Sequence, residues 1–126
     1  MPPTILVADD EYMLREVLQD VLEYEGYQVT TAASGQEALA YLKRAAQPPD
    51  LILTDILMPG MGGFQLMKQT RLLLPQHIIP FVFVSGQEAT KIFDRPTPEG
   101  VFGYISKPFA VADLLKAVRH VVSQQP

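Results

Sequence analysis

Apolar residues along this chain fall into short runs separated by longer segments of mixed polarity. Thr4 to Ala8, Leu51 to Thr54 and Pro80 to Val84 are nearly continuous apolar runs, the pattern of strands buried on both faces. Tyr27 to Thr31 and Val101 to Ser106 add β-branched and aromatic residues, which suit a pleated surface. The segments between them repeat at helical spacing. Leu14, Val17, Leu18 and Val21 predict an amphipathic helix over Glu11 to Glu25, with Gly26 placed for a left-handed terminus. Ser34-Gly35-Gln36-Glu37 matches a capping box ahead of Ala38, Leu39 and Leu42, and that helix must stop by Pro48. Phe64 to Leu74 reads as a third helix closed by Pro75. Ala110 to Val122 reads as a last one, turning Leu114, Leu115, Val118, Val121 and Val122 inward. Gln87 to Gly100 is the irregular stretch, because Pro96 and Pro98 leave room for at most a short helix and a loop.

Five strands alternating with helices predict an α/β fold with a parallel sheet, since a helical crossover returns the chain in the same direction. Periodicity leaves the strand order open. One regularity bears on function all the same. The first strand ends in Asp9-Asp10, the third in Asp55, the fourth in Ser85 and the fifth in Lys107. In a parallel sheet those ends share one edge, where open α/β sheets place their ligands. Asp55 is the least ordinary of them, because a carboxylate within Leu51-Ile52-Leu53-Thr54-Asp55-Ile56-Leu57-Met58-Pro59 is costly to bury unpaired.

Composition narrows the class without changing this picture. With 126 residues, 48% of them hydrophobic, the chain suits one folded domain over 1–126, with 123–126 as a tail or linker. The formal charge is −4, and the ten Lys and Arg are scattered, which argues against a nucleic-acid surface. The absence of Cys excludes disulfides and thiolate metal sites and fits a cytoplasmic location. No apolar run reaches the length of a signal peptide core or a membrane span.

Converging carboxylates repel one another unless a cation intervenes. Carboxylates with a carbonyl and waters suit Mg²⁺, a hard octahedral cation. With Lys107 as a mobile positive charge and Ser85 as a hydroxyl, the set could support phosphoryl transfer to a carboxylate. Taken singly, Asp9-Asp10 reads as a helix cap, Ser85 as an ordinary strand end and Lys107 as a solvated side chain. The four strand ends together outweigh those separate readings. His77 and His120 read as surface residues, and Met58 and Met61 as packing.

On these residues the chain resembles a response regulator receiver domain of two-component signalling, a CheY-like family, over essentially its whole length. The acidic pair matches Asp9-Asp10, the phospho-acceptor Asp55 with Met58-Pro59 after it, the hydroxyl Ser85, the aromatic switch Tyr104, and Lys-Pro-Phe Lys107-Pro108-Phe109. The resemblance implies a flavodoxin-like sheet of order 2-1-3-4-5 with helices on both faces, an atypical short fourth helix, and a cis Lys107–Pro108 peptide. It implies Mg²⁺ held by Asp10, Asp55 and the Leu57 carbonyl, with Asp9 beside it directly or through water. It implies a phosphoryl group taken by Asp55 from the phosphohistidine of a histidine kinase or histidine phosphotransfer protein, and a signal passed to a downstream effector, an output domain or a homodimer partner. The family's role is a switch rather than an enzyme, one that assists its own phosphorylation and slow dephosphorylation.

Some positions depart from the family's pattern. Gly62 stands where an Asp is common, Gly86 where an Ala is usual, and Gln87 to Gly100 where a regular helix normally forms. A phosphohydrolase with an aspartyl-phosphate intermediate would want a second carboxylate two residues after Asp55, where Leu57 stands. Neither G-x-x-x-x-G-K-[ST] nor G-x-G-x-x-G follows the first strand, which disfavours a nucleotide-binding domain. The intact acceptor, acidic pair, Ser85 and Lys107 argue against a degenerate receiver. A receiver beginning at Met1 is expected to be a stand-alone regulator or the front of a longer one.

Overall fold

A computed structural model describes residues 2–86 and 101–124. In chain order these form β1 (Thr4–Ala8), α1 (Tyr12–Tyr24), β2 (Gln28–Ala32), α2 (Gly35–Arg44), β3 (Leu51–Thr54), α3 (Gly63–Leu73), β4 (Phe81–Ser85), β5 (Val101–Ser106) and α4 (Val111–Ser123). The sheet is parallel throughout, in the order β2-β1-β3-β4-β5. That is the architecture expected of a flavodoxin-like fold. The expectation of a short fourth helix falls within 87–100, outside the described residues.

The period of two along each strand divides the core into two layers. Leu6, Ala8, Ile52, Phe81 and Phe83 face one side and pack with Ala38 and Leu42 of α2 and with Leu66 and Met67 of α3. Ile5, Val7, Leu51, Leu53, Val82, Val84 and Ile105 face the other, against Leu18 and Leu22 of α1 and Leu114, Leu115, Val118 and Val121 of α4. Every residue of β3 and β4 is buried, which is why their sequences show no alternation. The central edge of the site is therefore supported by the most deeply buried strands of the sheet.

Local signals hold at most boundaries. Gly26 adopts φ +96° and closes α1 by donating to the Glu23 carbonyl, while Ser34 caps α2 by accepting from the Glu37 amide at 3.1 Å. Gly62 begins α3 without a side-chain cap, as its lack of a polar side chain requires. Leu14, Leu18 and Val21 of helix α1 pack on the core as expected, and Val17 departs. Leu18 and Leu22 form its buried line, and Val17 is 46% exposed. Val17 sits at the rim of the inward arc, whereas Leu22 falls one turn after Leu18 directly over the sheet. β2 begins one residue later than expected, because the Tyr27 amide is still engaged in closing α1 at the Leu22 carbonyl.

Candidate functional site

The carboxyl ends of β1, β3, β4 and β5 form one edge, and each delivers its polar residue there. Asp9 follows Ala8, its amide bonded to the Ala32 carbonyl of the neighbouring strand. Asp55 follows Thr54, its amide bonded to the Ala8 carbonyl, so the two carboxylates stand on adjacent strands. Ser85 closes β4, and its carbonyl accepts from the Lys107 amide at 2.7 Å. The Lys107–Pro108 peptide is cis.

Lys107 is the hub. Its Nζ lies 2.8 Å from Asp55 Oδ2, 3.2 Å from Asp9 Oδ2 and 3.4 Å from Glu11 Oε1. Asp9 and Asp55 are buried, while Glu11 is exposed. Asp55 Oδ1 accepts from the Leu57 amide at 3.2 Å, and Asp9 Oδ1 accepts from the Glu11 amide at 2.8 Å. The four carboxylate oxygens of the two buried aspartates thus each meet a donor, but three carboxylates share one ammonium.

That imbalance appears in the titration of the groups. Burial pushes the Asp9 carboxyl above its ordinary range; the Glu11 amide and Lys107 act against this, and the Asp55 charge adds to it. Burial alone would lower Lys107, yet the hydrogen bond its ammonium donates to Asp55 and the charge of Asp9 more than offset it, and the ammonium is held above its usual range. The two directions are consistent. The ammonium gains several anions, whereas Asp9 has only a share of one cation.

A surplus of buried negative charge is the setting for a divalent cation. Asp9, Glu11 and Asp55 each place a carboxylate oxygen within 4.8 Å of the others, and all the donors are hard oxygens that suit Mg²⁺. Asp10, predicted as a direct ligand, is exposed and lies outside this group. Ser85 Oγ is buried and has no hydrogen-bond partner among the described residues, so its hydroxyl is available at this edge. Tyr104, beside Phe83 in the β4–β5 register, is half-buried against the α2–α3 side of the core. Leu57 is 62% exposed over Asp55. His77 and His120 are exposed and away from the edge, and Met58 packs in the core, as read.

Three contributors were not foreseen. Glu11 was visible as the third acid of Asp9-Asp10-Glu11 but was assigned to the helix start. Arg15 donates through Nη1 to the Asp9 carbonyl at 2.8 Å, a contact no spacing rule signals. Gly63 abuts the Asp55 carbonyl oxygen so closely that a Cβ would overlap it.

Comparison with known proteins agrees with this geometry. The family model described as response regulator receiver domain matches residues 5–119. The probable transcriptional regulatory protein TcrX of Mycobacterium tuberculosis is 31% identical over 118 residues, covering 94% of this chain and 49% of that protein. The sensor kinase CckA of Brucella abortus is 35% identical over 97% of this chain but only 13% of its own length. The chain thus spans half or less of these two relatives. The chemotaxis response regulator CheY4 of Vibrio cholerae superposes with a TM-score of 0.84 at 30% identity, covering 96% of this chain and 99% of that one. Receiver domains are signalling switches that bind Mg²⁺ at an acidic pocket, take a phosphoryl group from a histidine kinase and pass the signal to output domains. The chain belongs to the response regulator receiver domain family.

Proposed function

We propose that residues 1–126 form one cytoplasmic receiver domain in which Asp55 is the phospho-acceptor. The observation that carries this reading is the contact of Lys107 Nζ with both Asp55 Oδ2 and Asp9 Oδ2 at a strand edge where Ser85 Oγ lacks a partner. An Asp55 carboxylate oxygen attacks the phosphorus of a phosphohistidine on a histidine kinase or phosphotransfer protein. The P–O bond forms, the P–N bond breaks, and its electron pair returns to the imidazole nitrogen, which takes up a proton. Asp9, Asp10, Asp55 and the Leu57 carbonyl would hold Mg²⁺, with Glu11 at the rim, and the ion would supply charge neutralisation for the transferred group.

Lys107 supplies the protein's own positive charge to a phosphoryl oxygen. Ser85 donates its hydroxyl to another, and Tyr104, on the neighbouring strand opposite Phe83 and two residues back from the edge, follows Ser85 inward. The change is read by an output domain, an effector or a second copy. The cognate kinase is left unnamed by this chemistry. Intact-mass measurement after incubation with acetyl phosphate tests the site: one phosphoryl group is expected with Mg²⁺, none in chelator and none on Asp55→Asn. Lys107→Ala should be labelled slowly. Undiminished labelling of Asp55→Asn, or labelling without a divalent cation, overturns the assignment.

A further inference from the structure

β1 ends at Ala8 and α1 begins at Tyr12, so the residues that carry the acidic groups belong to neither element. Two contacts hold the turn between them. From within, the Glu11 amide donates to Asp9 Oδ1 at 2.8 Å. From outside, Arg15 in the first turn of α1 reaches back, and its Nη1 donates to the Asp9 carbonyl at 2.8 Å. The Arg15 amide also donates to the Glu11 carbonyl at 3.0 Å, so one residue ties both the helix start and the turn before it. Its guanidinium lies over the Tyr12 ring, with Cζ 5.5 Å from the centroid. A planar cation braced on a ring loses less freedom in making its hydrogen bond than an unbraced chain would.

We propose that Arg15 is a positioning residue for the cation site: it fixes the plane of the Asp9–Asp10 peptide and so the direction in which both carboxylates leave the backbone. The inference rests on the reading of Asp9, Asp10 and Asp55 as cation ligands. The carbonyl that Arg15 grips belongs to the peptide joining the two acids. Asp10 is exposed and apart from the other carboxylates, so on this proposal it would reach a bound ion by turning its side chain. That motion is inexpensive while the backbone is held. A turn free to rotate would have to be ordered at the moment of binding, and affinity would fall.

Arg15 also carries a positive charge beside a site for a cation, and charge acting through space opposes cation binding. Positioning and repulsion therefore have opposite signs. If Arg15 acted only as a charge, removing it would tighten Mg²⁺ binding. If it positions the acidic pair, removing it weakens binding despite the lost repulsion.

The test is a calorimetric titration of Mg²⁺ alone into wild type, Arg15→Met and Arg15→Lys at fixed ionic strength. Hydrogen exchange of the Glu11 amide is followed in parallel on the Mg²⁺-free proteins. Arg15→Met is expected to bind Mg²⁺ about tenfold more weakly, the scale of one charge-assisted hydrogen bond. Arg15→Lys should fall between, because it keeps the charge and a donor but not the stacked plane. The Glu11 amide should exchange faster in Arg15→Met while the buried Leu18 and Leu22 amides of α1 keep their protection, which separates a loosened turn from an unfolded helix. Equal or tighter Mg²⁺ binding by Arg15→Met overturns the inference while leaving the cation site standing. A wild type that binds no Mg²⁺ overturns the reading beneath it.

Discussion

The two loops that bring carboxylates to this site are built by different means. The turn Asp9 to Glu11 is held by polar contacts: its own Asp9 Oδ1 against the Glu11 amide, the Arg15 guanidinium on the Asp9 carbonyl, and Lys107 on the carboxylate. The loop after Asp55 is held by close packing. Gly60 adopts φ +81°, Met58 is buried, and Gly63 is pressed between the Asp55 carbonyl and the Phe83 ring, 3.0 Å from where its Cβ would stand. Thr54 Oγ1 donates to that same Asp55 carbonyl at 2.9 Å. Both carboxylates share Lys107, which lies 2.8 Å from Asp55 and 3.2 Å from Asp9; close packing is the added constraint on the Asp55 loop, and polar contacts carry the Asp9 turn.

The sharpest way to break this contrast is to add volume to the packed loop. Gly63→Ala puts a methyl group into the Asp55 carbonyl oxygen and against Phe83, both parts of the rigid centre of the sheet. The cost should be about 2–3 kcal/mol, a drop on the order of 10 °C in Tm. Phosphorylation by acetyl phosphate should slow as well, because relieving the overlap moves the Asp55 backbone. A Tm within about 2 °C of wild type would show that the loop yields freely and that volume does not place Asp55.

The polar turn should respond instead to charge. The folded-state pKa of Asp9 is raised by burial above its ordinary 3.8, so its ionised form opposes folding at neutral pH. That opposition is relieved as pH falls through the raised pKa and is gone once pH drops below 3.8, where the carboxyl is neutral in both states. Asp9→Asn removes the charge, keeps an acceptor for the Glu11 amide, and leaves Lys107 with Asp55 at 2.8 Å. In metal-free buffer Asp9→Asn should therefore be more stable than wild type by about 1 kcal/mol near neutral pH. The gap should narrow as pH falls through the raised pKa and close below 3.8. Saturating Mg²⁺ should reverse the order, since only the wild type retains the full ligand set. Urea unfolding at several pH values checks it, and a variant less stable than wild type in metal-free neutral buffer would break the contrast.

What could be read from the sequence follows the same division. Asp55 was legible because a carboxylate inside Leu-Ile-Leu-Thr-Asp-Ile-Leu has no local explanation. The sheet was legible because β3 and β4 are apolar without alternation, which only a strand covered on both faces requires. Lys107 and Ser85 gained meaning from their shared place at strand ends rather than from their neighbours. Arg15 and Gly63 were not legible, because each acts through one atom of a residue whose proximity is set by tertiary packing. Val17 and Leu22 show a similar limit on a smaller scale: both fit the helical repeat, and only Leu22 is covered by the sheet. Asp10 beside Asp9 is the clearest case. Two identical side chains differ in burial because the chain leaves the sheet between them, and no property of the pair announces it.

The smallest effect expected is on the lifetime of the phosphoryl group, and it probes the packed loop at its one exposed side chain. Leu57 serves Asp55 through its backbone, donating to Oδ1 at 3.2 Å, while its side chain is 62% exposed beside the acceptor. Hydrolysis of an acyl phosphate on Asp55 needs a water in line with the departing carboxylate oxygen. A leucine offers that water no hydrogen bond and covers part of its approach. Leu57→Asn keeps the amide that holds Asp55 and adds a side chain able to orient a water. Loss of phosphate should then be about three- to fivefold faster, less than about 1 kcal/mol of barrier, because one neutral hydrogen bond to a mobile water is a modest contribution. Both proteins are phosphorylated, freed of phosphodonor, and followed by intact mass at the same Mg²⁺ concentration and pH. If wild type loses its phosphoryl group as fast as Leu57→Asn or faster, the Leu57 side chain does not shield the bond, and the packed loop acts on Asp55 through its backbone alone.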